Sequence, residues 1–537
     1  MLKWTILISG FLFFYATQIF GQQEAAQIKW HPTGKFAKLG LNYFQTVSAD
    51  DQSVTYQKVE AGLRLKASDI FIASHSFDPV KSFNLMPEAK PSKSGTSQLS
   101  VLSVRNGKML AIDAIAGFAK GLIQNKMFFK ILDENFSAIS EPSPMKQSEN
   151  SYLPVNLVDL SNLFSNRPFQ LIENEDGVFM AYLSSNEVEG NLHIGLAKFD
   201  LNFNLVFNQL YEIGLPANRV IDFRLGNRDI DGSYFVLIKE TLEKKPATKI
   251  QMSVSNSLSG GSRLVTNEEK PGINWIYKLD DTGNHISYLL DGERPTPAFR
   301  ILEKGSVLLA GLSNDGAQGR YTGAYSISLD SDLKEIIRAA QPFSDAYSNE
   351  LESIKSKEKG IVLKIRHLQI HELGENVVLN IELFGSRMER VVSGNRTTYN
   401  YYLLVGDNLL FQMDTSGGFT GLFSAISKDQ LEFGGEQFYS GSIVYVKDDV
   451  LHILFNDRKD NLENVGKKNR WDHTDYRKGD SVVRQITVDN NLKKLSDGAM
   501  SSGDRSVVMI VPYAHFTNEK LVLFGTDFDQ YFGAVVN

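Results

Sequence analysis

Two histidines four residues apart are the first candidates for chemistry in this sequence. His367 and His371 have the spacing that places two imidazoles on one side of a helix, where they can bind one metal ion. Residues Ile361 to Ile370 instead alternate apolar and polar side chains, which is typical of a strand. No glutamate stands where a zinc protease needs its general base. The pair therefore predicts neither a metal site nor a cofactor.

Nucleophilic chemistry has no clear candidate either. The chain contains no cysteine, which excludes thiolate nucleophiles, thiolate metal ligands and disulfides. No serine occupies a Gly-x-Ser-x-Gly elbow, and the Gly-rich Ser259–Ser262 lies in a polar stretch of the kind that forms a flexible linker. The sequence therefore predicts no catalytic residue.

Binding residues are predicted in three polar insertions that interrupt pairs of strands, Glu240–Lys270, Gly385–Thr398 and Asp457–Asp480. Together they are net positive on a chain whose formal charge is -7, which favours an anionic ligand such as an acidic glycan, a carboxylate-rich peptide or lipid headgroups. Solvated loops without a ligand are the alternative. The predicted ligand-binding residues are Arg387, Arg390, Arg396, Arg470, Trp471, His473 and Tyr476.

The elements that must position these residues repeat along the chain. Five segments share the order apolar, polar, apolar, Asp, which predicts a half-buried strand followed by a turn that the carboxylate opens. A looser sixth copy ends at Asp133. The five regular copies end at Asp200, Asp280, Asp330, Asp414 and Asp489.

A second apolar run precedes each copy, and a seventh hairpin occupies the C-terminal residues, so each unit contains a hairpin and further strand. The pattern predicts an all-β fold, a β-propeller of about seven (six to eight) four-stranded blades closed by the N-terminal segment. Val54–Val59 and Ile70–Ser74 are the candidate strands for that closure. One repeat domain is expected over residues 22–537.

The N terminus predicts export. Lys3 is followed by an uncharged apolar stretch from Trp4 to Phe20, and a polar sequence begins after Gly21. This order is typical of a signal peptide over residues 1–21, so we expect a secreted or periplasmic protein with no membrane span in the mature chain. The acidic balance argues against a nucleic-acid partner.

Two kinds of segment resemble segments of a known group of proteins. They are turns such as Lys278-Leu279-Asp280-Asp281-Thr282-Gly283-Asn284 and runs such as Leu454-Phe455-Asn456-Asp457. In an exported chain they resemble uncharacterised secreted β-propeller-like repeat proteins of Bacteroidetes-type bacteria. The resemblance covers about the last two-thirds of the chain and implies a fold and an exported location, but no activity.

The sequence-based function is therefore a non-enzymatic binding or scaffold propeller that engages a protein or glycan through loops on one face. The alternative is a propeller hydrolase or lyase with its active site at the central channel.

Overall fold

The described residues form eight sheets, antiparallel except for one parallel pair, and these sheets are arranged as the blades of a propeller. The computed structural model describes residues 28–35, 42–60, 68–85, 96–119, 122–144, 169–174, 176–185, 191–216, 220–228, 233–241, 272–291, 297–302, 305–314, 321–349, 351, 362–393, 396–428, 430–433, 439–463, 471–472, 481–500, 507–517 and 519–536. These residues include no helix with the length and apolar character that a membrane crossing requires. Residues 1–21, where the signal peptide is predicted, lie outside the described ranges.

The first half of the chain supplies one strand of the last blade and then four complete blades. The lone strand is β1 (His31–Lys35). Blade 1 contains β2 (Asn42–Ala49), β3 (Ser53–Glu60), β4 (Ser68–Ser74) and β5 (Pro79–Leu85). Blade 2 contains β6 (Thr96–Arg105), β7 (Lys108–Ala119), β8 (Leu122–Leu132) and β9 (Ser143–Pro144). Blade 3 contains β10 (Phe169–Asn174), β11 (Gly177–Ser185), β12 (Asn191–Phe199) and β13 (Leu205–Pro216). Blade 4 contains β14 (Val220–Arg228), β15 (Tyr234–Thr241), β16 (Gly272–Leu279) and β17 (His285–Leu290).

The second half supplies the remaining four blades. Blade 5 contains β18 (Ala298–Ile301), β19 (Val307–Asn314), β20 (Tyr321–Leu329) and β21 (Glu335–Pro342). Blade 6 contains β22 (Val362–Leu373), β23 (Asn376–Ser393), β24 (Arg396–Met413), β25 (Phe419–Ile426) and β26 (Gln430–Phe433). Blade 7 contains β27 (Ser442–Lys447), β28 (Val450–Arg458), β30 (Ser481–Val488) and β31 (Lys494–Met500), and its insertion holds a short helix (Lys459–Glu463) and β29 (Trp471–Asp472). Blade 8 contains β32 (Val508–Met509), β33 (His515–Thr517), β34 (Lys520–Thr526) and β35 (Gln530–Val536), and it includes a 3-10 turn (Val511–Tyr513).

The first strands of successive blades form the inner ring. β2 contacts β6, β10 contacts β14, β14 contacts β18, and β18 and β27 both contact β22. The apolar core is distributed among the seams between blades, because each buried cluster joins strands of two neighbouring sheets. The prediction of an all-β propeller is confirmed, and eight blades fall at the upper end of the predicted range.

The sequence analysis favoured seven blades because it did not recognise blade 1. Val54–Val59 and Ile70–Ser74, the strands expected to close the ring, lie in β3 and β4 and pair with each other within that blade. The strand that joins the last blade is β1, which pairs antiparallel with β35. Blade 1 escaped the sequence pattern because Ser74 stands where the other copies have aspartate. The Ser76 backbone amide donates to Ser74 Oγ at 3.3 Å.

The predicted aspartate turns are confirmed at all six positions. At Asp200, the backbone amides of Asn202 and Asn204 each donate to Oδ1 at 2.8 Å, and the Asp200 amide donates to the Asn204 carbonyl. The Asn204 amide side chain also donates to the carboxylate, and this bond and those from the backbone hold the pKa of Asp200 below its usual value. The same pair of backbone amides binds Asp133, Asp280, Asp330, Asp414 and Asp489.

The third residue after each aspartate adopts a left-handed backbone, and in several copies it lies against the preceding blade. Phe203 has φ +65° and is fully buried among Leu110 and Phe129 of blade 2. Leu333 and Leu492 make the equivalent contacts with blades 4 and 6. At Gly417, a Cβ atom would lie 2.8 Å from Leu308 of blade 5, so the close approach requires glycine. The aspartate turn is therefore a device that joins neighbouring blades.

Replacing Phe203 by Ala tests this joint. We expect the free energy of unfolding to fall by about 3–5 kcal/mol, because the ring fills a closed space between two blades. Denaturant unfolding measures the change. Leu201 lies in the same turn and is 44% exposed, so Leu201→Ala is the matched control and should cost far less. Equal losses for the two variants would contradict a cross-blade role for Phe203.

Deleting residues up to Lys35 tests the closure by β1. The truncated chain leaves one edge of β35 unpaired, so we expect a lower melting temperature and faster aggregation. Thermal unfolding followed by light scattering measures both. A chain that begins at Gln22 retains β1 and is the control. Identical melting temperatures for the two chains would show that β1 does not hold the ring closed.

Candidate functional site: the raised sheet and the polar face of blade 6

The insertion expected at Gly385–Thr398 is a hairpin rather than a loop. Arg387 and Arg390 lie in β23, and Arg396 begins β24. The two strands stay in register to the pair Ser393 and Arg396, which leaves a two-residue connection. The valine, threonine and tyrosine content of the two strands explains the extension, since β-branched and aromatic side chains favour strands.

This hairpin extends beyond the end of β22, in the same sheet as the rest of blade 6. The pairing of β22 with β23 begins at Val362 and Ser386, whereas β23 and β24 stay paired as far as Ser393 and Arg396. On its other side, β24 pairs with β26 from Tyr402 to Val405, close to the level at which β22 begins. β29, from the insertion of blade 7, pairs parallel with β26. We call Arg387–Ser393, Arg396–Val405, β26 and β29 the raised sheet. It joins two of the three predicted insertions, which are separated in sequence.

The register divides the predicted binding residues between the two faces of the raised sheet. Arg387 is opposite Tyr402, whereas Arg390 is three positions further along the same strand and opposite Tyr399. Because strand residues alternate, Arg387 and Arg390 belong to opposite faces. Trp471 is paired with Gln430, which is paired with Val405, so Trp471 shares the face of Arg390.

The other predicted site residues divide as follows. Arg396 is opposite Ser393 and shares the face of Arg387. Arg470, His473 and Tyr476 lie outside the described residues, as does most of the first insertion, 242–271. The first residue of the third insertion, Asp457, is buried and held in place by hydrogen bonds. Its carboxylate accepts from Asn461 Nδ2 at 2.6 Å and from Arg484 Nη1 at 2.7 Å.

A second candidate site, which the sequence analysis missed, is the face of blade 6 that packs against blade 7. Three rows of paired residues cross β22, β23 and β24 on this face, and polar side chains occupy seven of their nine positions. The rows are His367–Glu382–Asn408, Gln369–Asn380–Leu410 and His371–Val378–Gln412. The available signal was Asn380 and Glu382 at alternate positions of Val377–Leu383, which is the apolar run that precedes the copy ending at Asp414.

A fully buried ion pair lies at the centre of this polar face. Lys428 Nζ donates to Glu382 Oε1, and neither side chain is more than 2% exposed. Arg366 Nε lies 3.5 Å from the other oxygen of the carboxylate. Burial opposes ionisation of Glu382, but the charges of Lys428 and Arg366 outweigh it and hold its pKa below the usual value. Burial also lowers the pKa of Lys428, although Glu382 opposes that change.

Neutral side chains extend the network across the seam between the two blades. The Ser442 hydroxyl lies 2.8 Å from Glu382 Oε1 and 3.0 Å from Asn408 Oδ1. Asn408 Nδ2 donates to Asn380 Oδ1 at 2.9 Å. Arg366 Nη2 donates to the Ser440 carbonyl at 2.6 Å. Blade 7 therefore supplies Ser440 and Ser442 to a network whose charges belong to blade 6.

Two buried amides fix the base of the raised sheet to the ring. Gln430 Nε2 donates to the Asn456 carbonyl at 2.6 Å, and the Gly441 amide donates to Gln430 Oε1 at 2.8 Å. Asn456 in turn donates to the Met509 carbonyl and accepts from the Met509 amide. Residues of blades 6, 7 and 8 are thus tied together directly beneath β29.

His367 and His371 both lie in strand β22, as their surroundings predicted. Residues four apart on a strand are separated by about 13 Å, too far for two imidazoles to share one ion. Among the described residues, no group of three or more His, Asp or Glu side chains could hold a metal. Burial, aided by Arg300 and His367, lowers the pKa of His371 to about 3, so its imidazole is neutral near pH 7.

Charged side chains on the inner strands form ion pairs between adjacent blades. Arg300 Nε donates to Glu372 at 2.7 Å, which joins β18 to β22. Arg105 lies 3.6 Å from Glu173, which joins β6 to β10. Burial raises the pKa of Glu173, although Ser103 and Arg105 oppose that change. These pairs hold neighbouring inner strands together.

Comparison with family models gives no match, and comparison with curated proteins gives none. Several solved propellers are similar at low identity. The polysaccharide lyase Uly1 has 10% identity and a TM-score of 0.35 over 93% of this chain and 100% of its own. Drosophila Semaphorin 1b, extracellular domains 1-2, has 9% identity and a TM-score of 0.32 over 95% and 88%. Sucrose-6-phosphate hydrolase from Lactobacillus gasseri has 10% identity and a TM-score of 0.30 over 97% and 94%. At this level of similarity, the three proteins do not indicate which activity this chain has.

The buried ion pair generates a sharp prediction about stability. Glu382→Gln removes the carboxylate that Lys428 and Arg366 share, so we expect a loss of about 3–5 kcal/mol in the free energy of unfolding. Lys428→Met should cost less, because Arg366 still faces the carboxylate. The double variant should cost less than the sum of the two, since it leaves no unpaired Lys428 charge. Denaturant unfolding at pH 7 measures this cycle, and additive losses would show that the two groups do not interact.

Proposed function

We propose that the protein is an exported, non-enzymatic binding propeller that engages an anionic glycan or protein partner through the raised sheet. The observation that carries this proposal is that strands from two of the predicted insertions, those of blades 6 and 7, belong to one sheet. The β23–β24 hairpin and β29 come from different blades, yet hydrogen-bonded pairing through β26 brings them together. Sites built on strands hold their residues more accurately than sites on loops.

The residue types at these positions support a binding role. Arginine, tyrosine and tryptophan are the residues that most often dominate binding energy at protein interfaces. Each face of the raised sheet has one arginine opposite a tyrosine, Arg387 with Tyr402 on one face and Arg390 with Tyr399 on the other. Trp471 shares the face of Arg390. We therefore assign the partner to the face of Arg390 and Trp471.

The charge of the hairpin fits an anionic partner. Its raised strands hold Arg387, Arg390 and Arg396 against Glu389, a local excess of positive charge on a chain whose formal charge is -7. An arginine presents a planar, always charged donor group that suits carboxylates and sulfates. Acidic glycans and acidic peptide segments both offer such groups. The exported location rests on the predicted signal peptide.

Paired variants within the one sheet test the proposal. Arg390→Ala/Trp471→Ala should weaken binding to the best ligand from a panel of acidic polysaccharides and acidic peptides by about tenfold or more, which corresponds to ~1.4 kcal/mol. Arg387→Ala/Arg396→Ala removes more charge from the opposite face and is the matched control, with a smaller expected effect. Calorimetry at two salt concentrations measures both affinities.

Three results would overturn the proposal. A larger loss in the control pair would show that net charge, rather than the chosen face, governs binding. Wild-type protein that binds no member of the panel would remove the anionic partner. Release of new reducing ends from any polysaccharide in the panel would identify an enzyme, which is the alternative function.

A further inference from the structure

Three buried polar atoms without a partner lie together on the polar face of blade 6. They are Gln369 Oε1, Asn380 Nδ2 and His371 Nε2. Gln369 and Asn380 are directly paired across β22 and β23, and His371 is two residues from Gln369 on the same face. Each buried polar atom that lacks a hydrogen bond costs about 1–3 kcal/mol, so a cluster of three requires an explanation.

The neighbouring bonds fix what each atom can do. Asn408 donates to Asn380 Oδ1, so the other end of the Asn380 amide is a donor aimed away from that bond. Gln369 Oε1 is an acceptor. His371 is neutral at physiological pH, and the Nε2 atom of a neutral imidazole either donates or accepts, depending on its tautomer. The cluster therefore offers one donor, one acceptor and one group of either kind.

We infer that this cluster is a binding subsite for a neutral polyhydroxylated ligand, a sugar or a polyol. A hydroxyl group both donates and accepts, which matches the mixed set of atoms. Neighbouring positions across and along the strands are about 5 and 7 Å apart, which is close enough for the side chains at these positions to contact different hydroxyls of one sugar. The subsite is separate from the raised sheet and takes a ligand of different charge.

Charge and access both favour a neutral ligand at this place. The charged groups around this place already have partners, Glu382 with Lys428 and Arg366, and Arg300 with Glu372, so an added ion would have to displace one of them. β22 is the inner strand of its blade, and along this face exposure decreases from exposed His367 to partly exposed Gln369 and His371, and then to fully buried Asn380. A ligand that enters beside the ring axis thus reaches the three atoms in order.

Saturation-transfer NMR and calorimetry test the inference on the mature chain. The probes are glucose, galactose, mannose, N-acetylglucosamine and myo-inositol. At least one should bind with a Kd of about 1 mM or tighter. Gln369→Leu and His371→Phe, which remove the hydrogen-bonding atoms at similar volume, should each weaken that binding about tenfold.

A matched control comes from blade 1, which is three blades away from blade 6 in the ring. Thr46 of β2 also has a buried Oγ1 without a partner, and Thr46→Val removes it far from the subsite. Its sugar affinity should equal that of the wild type. The Arg390→Ala/Trp471→Ala variant should also keep its sugar affinity, which separates this subsite from the raised sheet.

Two outcomes would overturn the subsite. One is the absence of binding by all five probes at 50-fold above the expected Kd, together with ordered water bridging the three atoms in a crystal structure. The other is unchanged sugar binding in both Gln369→Leu and His371→Phe, which would place the sugar elsewhere. Because either variant suffices, failure of one to fold leaves the test intact.

Discussion

The packing of one turn residue against the preceding blade is the constraint on which the whole ring depends. Among the described residues, β29 of the blade 7 insertion is the strand that pairs with a neighbouring blade, so packing and side-chain hydrogen bonds hold most of each seam. The aspartate turn forces the third following residue into a left-handed backbone, and that conformation directs Phe203, Leu333 or Leu492 into the sheet of the preceding blade. The cost of a strained backbone, about 1 kcal/mol or more, is offset by burying a large side chain.

Much of the fold could be predicted from sequence because the repeated turn is a local feature. Asp200 and its five counterparts are recognisable without knowledge of distant residues, since each carboxylate binds amides within four positions. Blade 1 was harder to find because Ser74 makes a weaker version of the same turn. The extended hairpin was mistaken for a loop because its polar residues outnumber its apolar ones, and strand pairing rather than burial stabilises it.

The polar face of blade 6 could not be predicted, because only the pairing register of the strands determines which residues share that face. Asn380 and Glu382 stand in an apolar run, and only the alignment of β22, β23 and β24 shows that they share a surface with His367 and Gln369. Lys428 reaches Glu382 from a segment 46 residues away. Buried charges of this kind seldom add stability over apolar residues of equal size, so their presence at one seam is a functional clue.

The pairing of β1 with β35 also determines when folding can finish. His31 and Gly533 are partners although almost the whole chain separates them, and closing so long a loop costs about 5–6 kcal/mol of chain entropy. Seven blades can form from contacts within or between neighbouring sheets, whereas the eighth must wait for both ends. The last blade is therefore the slowest to fold, and a circular permutant with its ends joined and new termini in another seam should fold by a different order of events.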